Sequence, residues 1–180
     1  MTAASSMRMR IAVFASGSGS NFQAIAEAVR DGAVPATIAL LVCDRPSAYA
    51  LERARAFGIE TLVVRPKEYA SREAYERVIL DALHAREIGL IVLAGYMRLV
   101  TPVLLEPYAG RMINVHPALL PAFPGVNGVK QALDYGVKLT GVTVHYVDGG
   151  MDTGPVIAQQ AVEVRDDDTE ETLAARIHAA

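Results

Sequence analysis

Residues 11–21 read IAVFASGSGSN, from Ile11 to Asn21. The first five are apolar and of strand length, and they run into a cluster of glycine and serine. Beyond the cluster, Phe22, Ile25, Ala26 and Val29 recur at helical spacing. A buried strand that turns through glycines into a helix is the opening unit of an α/β fold. The same alternation continues along the chain. Residues 37–42 form a second apolar run closed by Cys43-Asp44-Arg45-Pro46, and a helix over about 47–57 stops at Gly58. A third strand is expected over 60–64 and a third helix over 71–86, with Ser71 as a loose capping signal. The run LIVLA at 90–94 is the most apolar of all, which predicts a central strand covered on both faces. Residues 111–116 form a fifth strand ending at Pro117, and a short helix over 127–135 stops at Gly136. Residues 139–147 and 155–164 both alternate with period two across a glycine-rich link, the pattern of an antiparallel hairpin. Thr169 opens a last amphipathic helix carrying Leu173 and Ile177, and the sequence ends inside it without a cap. The prediction is an open, doubly wound α/β sheet, mostly parallel, with helices on both faces and a late antiparallel hairpin.

Composition fits that reading and excludes others. The chain has 180 residues, 52% hydrophobic and 21% charged, enough for one domain with its own core and too apolar for a disordered chain. Residues 1–8 read as a short disordered lead-in and 9–180 as the single domain. A net charge of -3 and an isoelectric point near 5.8 give no general attraction for nucleic acid. No apolar run reaches the roughly 20 residues that span a bilayer, and the start has no secretory signal pattern. One cysteine, Cys43, excludes an internal disulfide and a cysteine metal cluster, and reads as a small buried residue. A cytoplasmic location is expected, and pairing with a second copy is left open.

The loop Gly17-Ser18-Gly19-Ser20-Asn21 falls at the carboxyl edge of the sheet, where open α/β folds bind ligands. Glycines admit close approach, and the N–H groups that open a helix attract an anion. The dinucleotide fingerprint fails because Phe22 stands where it needs glycine, and no Gly-Lys-Ser/Thr follows to make a P-loop. A monophosphate fits better than a pyrophosphate. The alternative is an ordinary turn with Ser20 as the N-cap.

Asn114 and His116 lie two apart on a strand, so both leave one face just before Pro117. An amide can donate to a developing oxyanion while an imidazole handles a proton near neutral pH. The segment Asp148-Gly149-Gly150-Met151-Asp152-Thr153-Gly154-Pro155 carries two acids and three glycines, more than a minimal turn needs. An aspartate from it could stabilise a nearby imidazolium, or it could be an acidic surface turn. The other histidines read as weaker candidates: His84 solvated, His145 a packed or hydrogen-bonded scaffold residue, His178 near a frayed end. Their scatter argues against a zinc site, and the spacing at Ser18 and Ser20 is too short for a nucleophile elbow.

Taken together, five stretches resemble the phosphoribosylglycinamide formyltransferase family: ASGSGSNFQA (15–24), SREAY (71–75), VLAGYMRL (92–99), INVHPALLPAFPG (113–125) and TVHYVDGGMDTGPVI (143–157). The resemblance covers nearly the whole chain from about Arg10. It implies a Rossmann-like sheet and formyl transfer from the co-substrate 10-formyltetrahydrofolate to the amine of a phosphoribosyl glycinamide, without a metal, in purine synthesis. It implies that Gly19, Ser20 and Asn21 hold the substrate phosphate. Arg72, Met97, Arg98, Leu99, Val100, Asn114, Asp148 and Asp152 would then contact the folate, and Asn114, His116 and Asp152 would form the catalytic trio. Small-molecule substrates are the implied partners. This chain departs from many relatives by Asn127 and Val129, where a histidine follows the PGV step, and by Ala118 after the His-Pro pair. The family also continues beyond Ala180 with an acidic residue near the substrate amine.

Overall fold

The computed structural model describes residues 8–180. Its strands are β1 (Met9–Ala15), β2 (Ala36–Cys43), β3 (Thr61–Val63), β4 (Leu90–Leu93), β5 (Met112–His116), β6 (Leu139–Tyr146) and β7 (Val156–Glu163). The helices are α1 (Ser20–Arg30), α2 (Ala50–Ala56), α3 (Arg72–Ala85), α4 (Pro102–Leu105), α5 (Gly128–Tyr135) and α6 (Glu170–Ala179). One sheet runs β3-β2-β1-β4-β5-β6-β7. The strands β1 to β5 run parallel to one another, while β6 is antiparallel to both β5 and β7. The apolar run of β4 sits in the middle of that order, as expected for a strand buried on both faces. Of the lead-in expected over residues 1–8, all but Arg8 lie outside the described residues.

Period-two alternation along β1 splits the core in two. Ala12 and Phe14 face α3, packing with Tyr75, Ile79 and Leu83. Ile11, Val13 and Ala15 face the other way, onto Phe22 of α1 and Ala50 and Ala54 of α2. A smaller cluster of Val129, Val164, Leu173 and Ile177 seats α5 and α6. The α6 cap is a capping box in which Thr169 accepts from the Thr172 N–H and the Thr172 side chain returns the contact. Ser71 also proves a true N-cap, its hydroxyl accepting the Ala74 N–H at 3.1 Å. Strand β7 is the exception to a simple reading of alternation: it is an edge strand, and nearly all of its residues are exposed.

Chain direction reverses its winding between β1 and β4, because β2 and β3 extend one way and β4 to β7 the other. Open α/β sheets bind ligands beside the carboxyl ends of strands at such a switch. Two bonds lock the crevice there: the Ser16 N–H donates to the Gly95 carbonyl at 3.1 Å, and the Met97 N–H donates to Ser16 Oγ at 2.9 Å.

Candidate active site

A cavity of about 440 Å³ opens at this switch point. Its walls come from the glycine loop, the segment after β4, the end of β5, and the loop joining β6 to β7.

The glycine loop is shaped by close packing. Gly19 has φ +72°, and a Cβ there would lie 2.7 Å from the Ala50 side chain, so only glycine fits. The loop is tied to α2 by the Ala50 N–H on the Gly17 carbonyl at 3.1 Å and by Arg53 Nε on the Ser18 carbonyl at 2.8 Å. Gly19 itself is the N-cap of α1, with no side-chain cap. Ser20 is therefore the first helical residue, not the cap. The N–H groups of Ser20, Asn21 and Phe22 belong to the first turn, which lacks intrahelical acceptors, and Gly19, Ser20 and Asn21 all line the cavity. That is an anion cradle in geometry and in dipole.

Asn114 and His116 leave the same face of β5, opposite His145 and Thr143 of β6. The loop 147–155 folds over them and brings Asp152 into contact with both. Asp152 Oδ2 accepts the Gly125 N–H at 2.7 Å and faces His116 Nδ1 at 3.3 Å. Its Oδ1 takes Asn114 Nδ2 at 3.3 Å and lies 3.5 Å from His145 Nε2. Asp152 has φ +54°, a left-handed backbone that aspartate and asparagine tolerate better than most. The other ring nitrogen of His116, Nε2, is 2.7 Å from the Phe123 carbonyl. Both imidazole nitrogens thus face oxygen acceptors, an arrangement that the doubly protonated ring satisfies completely. Asn114 Nδ2 also meets His145 Nε2 at 3.2 Å, and His145 Nδ1 is 2.8 Å from the Tyr146 carbonyl. That carbonyl can only accept, so Nδ1 carries a proton and Nε2 is free to accept from Asn114.

The segment 95–101 forms the opposite wall. Met97 is 56% exposed and Leu99 50% exposed, and across from them Val126 and Met151 are 65% and 52% exposed. Such apolar groups around one opening suit the face of a flat heterocycle. Arg98 Nε donates to Asp44 Oδ2 at 2.7 Å, and the Asp44 side chain is fully buried. Arg72 stands outside the lining, its guanidinium on the Leu99 carbonyl at 3.4 Å. Asp148 lines the cavity, but its Oδ1 accepts the Gly150 N–H and the Thr153 hydroxyl. The Thr153 hydroxyl, then the Gly150 N–H, hold this carboxyl below the usual range. Its role in the geometry is to shape the loop that presents Asp152.

Behind this wall Tyr75 and Tyr96 share a very short, buried hydroxyl–hydroxyl bond, and Tyr96 stands edge-on to Phe14. Burial, opposed only in part by the bond to Tyr96, pushes the Tyr75 hydroxyl up to about 12. Burial and then Tyr75 also raise Tyr96. Unfolded tyrosines ionise near pH ~10. Stability from this pair is therefore complete below that pH and is lost as pH rises through the folded values. An absorbance titration of tyrosinate is expected to show the pair ionising only together with alkaline unfolding, detected in parallel by circular dichroism. Ionisation of all seven tyrosines in one step near pH ~10, with the fold intact, would contradict it.

Sequence reasoning assigned two residues too little. His145 does pack as a hydrogen-bonded strand residue, but it also lines the cavity and touches both Asn114 and Asp152. Its register opposite Asn114 was a usable signal, since cross-strand partners share a face. His178 of α6 also lines the cavity, although it lies near the chain end. Asn127 is at the cavity mouth in left-handed conformation, while Val129 is buried. Cys43 is buried with its thiol pushed up chiefly by desolvation. Among the described residues no group of His, Cys, Asp or Glu is placed to hold a metal ion, and no helix is long and apolar enough to cross a membrane.

Comparison with known proteins adds a family. The formyl transferase family profile matches residues 9–180. Phosphoribosylglycinamide formyltransferase of Bacillus subtilis is 53% identical over 169 residues, 94% of this chain and 87% of that protein. The crystal structure of glycinamide ribonucleotide transformylase 1 from Geobacillus kaustophilus superposes with a TM-score of 0.92 at 55% identity, covering 96% of this chain and 92% of that one. The corresponding structure from Symbiobacterium toebii gives 0.95 at 45% identity, covering 99% and 85%.

Proposed function

This chain belongs to the formyl transferase family, and from that membership we propose that it is a phosphoribosylglycinamide formyltransferase. It moves the formyl group of 10-formyltetrahydrofolate to the primary amine of N1-(5-phospho-D-ribosyl)glycinamide, a step of de novo purine synthesis. The products are the N2-formyl glycinamide and tetrahydrofolate. We assign the activity to the cytoplasm, where a lone buried thiol stays reduced. One observation carries the reading: a single cavity joins an uncapped helix start, an Asn–His–Asp cluster and an apolar rim. These suit, in order, a phosphate, a reacting carbonyl and a pterin.

Gly19, Ser20 and Asn21 bind the ribosyl phosphate through the first-turn N–H groups and the flanking side chains. Met97, Leu99 and Val100 line the folate side, with Arg98 held toward it by Asp44 and Arg72 at the outer edge. Asp148 sets the shape of the loop beside the pterin. In the reaction the amine nitrogen bonds to the formyl carbon, the bond from that carbon to the folate N10 breaks, and one proton passes from the amine to N10. Negative charge collects on the formyl oxygen between these events. Asn114 and the imidazolium of His116 lie where they can stabilise it. The Asn114 contacts at 3.2 and 3.3 Å are long, so an N–H can turn to a stronger acceptor at little cost. Asp152 keeps His116 oriented and balances its charge.

Incubation with 10-formyltetrahydrofolate and one acceptor at a time tests the reading. Tetrahydrofolate release is expected with glycinamide ribonucleotide and not with water or charged tRNA. Release with water alone, or with the tRNA alone, would replace it with a hydrolase or a tRNA-formylating enzyme. The site assignment has its own test. Asn21→Ala is expected to raise KM for the ribonucleotide about tenfold, the worth of one hydrogen bond to a charged group. KM for the folate should hold. A change confined to the folate KM would move the phosphate away from the glycine loop.

A further inference from the structure

The segment 95–101 is held from beneath by polar side chains whose partners all lie in that segment. Ser16 Oγ accepts the Met97 N–H at 2.9 Å. Asp44, fully buried, takes Arg98 Nε at 2.7 Å. Glu76 of α3, only 3% exposed, accepts twice from Thr101: its Oε1 takes the backbone N–H at 2.9 Å and its Oε2 takes the hydroxyl at 2.5 Å. Thr101 in turn caps α4, its Oγ1 accepting the Val103 N–H at 3.3 Å. Neither Asp44 nor Glu76 is among the described residues that line the cavity.

Buried carboxylates are costly, and Glu76 has no cationic partner among the described residues. A core whose only task was packing would fill this position with an apolar side chain. A carboxylate that instead spends both oxygens on one residue, at the point where the segment meets α4, fixes that residue in place. Asp44 does the same for Arg98 at the other side, and its second oxygen, Oδ1, is buried with no hydrogen-bond partner among the described residues. The cost of that orphan atom is borne for the bond to Arg98. On either side of the anchored Arg98, Met97 and Leu99 project into the opening with about half their surface exposed. Exposed apolar side chains do not hold a segment in shape; the polar anchors do.

We propose that Asp44 and Glu76 are positioning residues that pre-form the 97–100 wall for the folate, without touching it. The proposal deepens the function above and rests on that assignment of the wall. Preorganisation of this kind acts on affinity, because a slack wall must be ordered when the ligand arrives. Its effect belongs to the folate and not to the ribonucleotide, whose phosphate is held by the separately braced glycine loop.

The test compares Glu76→Ala, Glu76→Gln and Asp44→Asn with the parent protein. Calorimetry gives Kd for tetrahydrofolate, steady-state kinetics give KM for each substrate, and thermal melting reports the fold. Glu76→Ala is expected to weaken tetrahydrofolate binding and raise the folate KM about tenfold, with KM for the ribonucleotide and kcat within about twofold. Glu76→Gln should recover most of the affinity, since its amide oxygen still accepts the Thr101 N–H. Asp44→Asn, without the ionic hold on Arg98, should lose folate affinity in the same selective way. If Glu76→Ala does not fold, the other two variants carry the comparison. Melting shifts with unchanged folate affinity, or equal rises in both KM values, would overturn the proposal. Binding of tetrahydrofolate by a parent protein that transfers no formyl group would instead fail the assigned function, so the two failures are distinct.

Discussion

His116→Ala is expected to lower kcat by about 10³, within the range seen when a positioned acid–base group is lost. The His116 ring is 3% exposed and bridges two oxygens, Asp152 Oδ2 at 3.3 Å and the Phe123 carbonyl at 2.7 Å. It also backs onto Gly128, where a Cβ would lie 3.4 Å from Nε2. His145, the other imidazole of the cavity, meets Asp152 at Oδ1 and not at the Oδ2 that faces His116. Removing His116 leaves the Phe123 carbonyl without its ring partner, while Asp152 Oδ2 keeps the Gly125 N–H, so stability should fall by about 1–3 kcal/mol. That loss is visible in melting and separable from kinetics. Because the lost interaction strengthens in the transition state, kcat and kcat/KM should drop together while KM for the ribonucleotide holds. Turnover equal to the parent in a folded variant would remove His116 from the chemistry.

Asp152→Asn is expected to lower kcat by about 10², comparable to losing one preorganised electrostatic partner. The substitution isolates charge. Asparagine tolerates the left-handed backbone at φ +54° and keeps an oxygen for the Gly125 N–H. What it loses is the anion that faces His116, His145 and the Asn114 amide at once. An amide nitrogen in place of one oxygen also sets donor against donor, loosening Asn114 or His116 from position. Melting should move little compared with His116→Ala, because the backbone tie to Gly125 survives. A folded variant with kcat near the parent value would leave Asp152 a scaffold residue only.

The fold was legible because local pattern and tertiary role agree along most of the chain. The stretch at 11–21 becomes β1, an uncapped turn and α1, and LIVLA becomes the central β4. Strand ends move by one or two residues, as local pattern alone rarely sets them. Helix α2 begins at Ala50 rather than near Ser47, since the residues after Pro46 first form a turn with the Ala48 N–H on the Arg45 carbonyl. Helix α4 went unseen because one turn from Pro102 to Leu105 is too short to show a period.

The site was legible in its residue types and much less in its partners. Asn114 and His116 announce themselves by spacing on one strand, and Asp152 by the glycines around it. The ties that hold the site join residues far apart in sequence: Arg98 with Asp44, Thr101 with Glu76, Tyr75 with Tyr96. No periodicity links such positions, and each looks like a surface charge or a core aromatic until the chain folds. The alternation of β7 likewise identified a strand but not its exposed place at the sheet edge.

The central claim is that phosphate, formyl carbon and pterin share one cavity in a fixed order, with Asn114 and His116 beside the carbon. A crystal structure with glycinamide ribonucleotide and a non-transferable 10-substituted folate tests it most directly. The predicted result is phosphate on the N–H groups of Ser20 and Asn21, the pterin against Met97 to Val100, and the carbonyl oxygen about 3 Å from Asn114 Nδ2. Phosphate bound at the 97–100 wall, or a carbonyl remote from the Asn114–His116–Asp152 cluster, would contradict it.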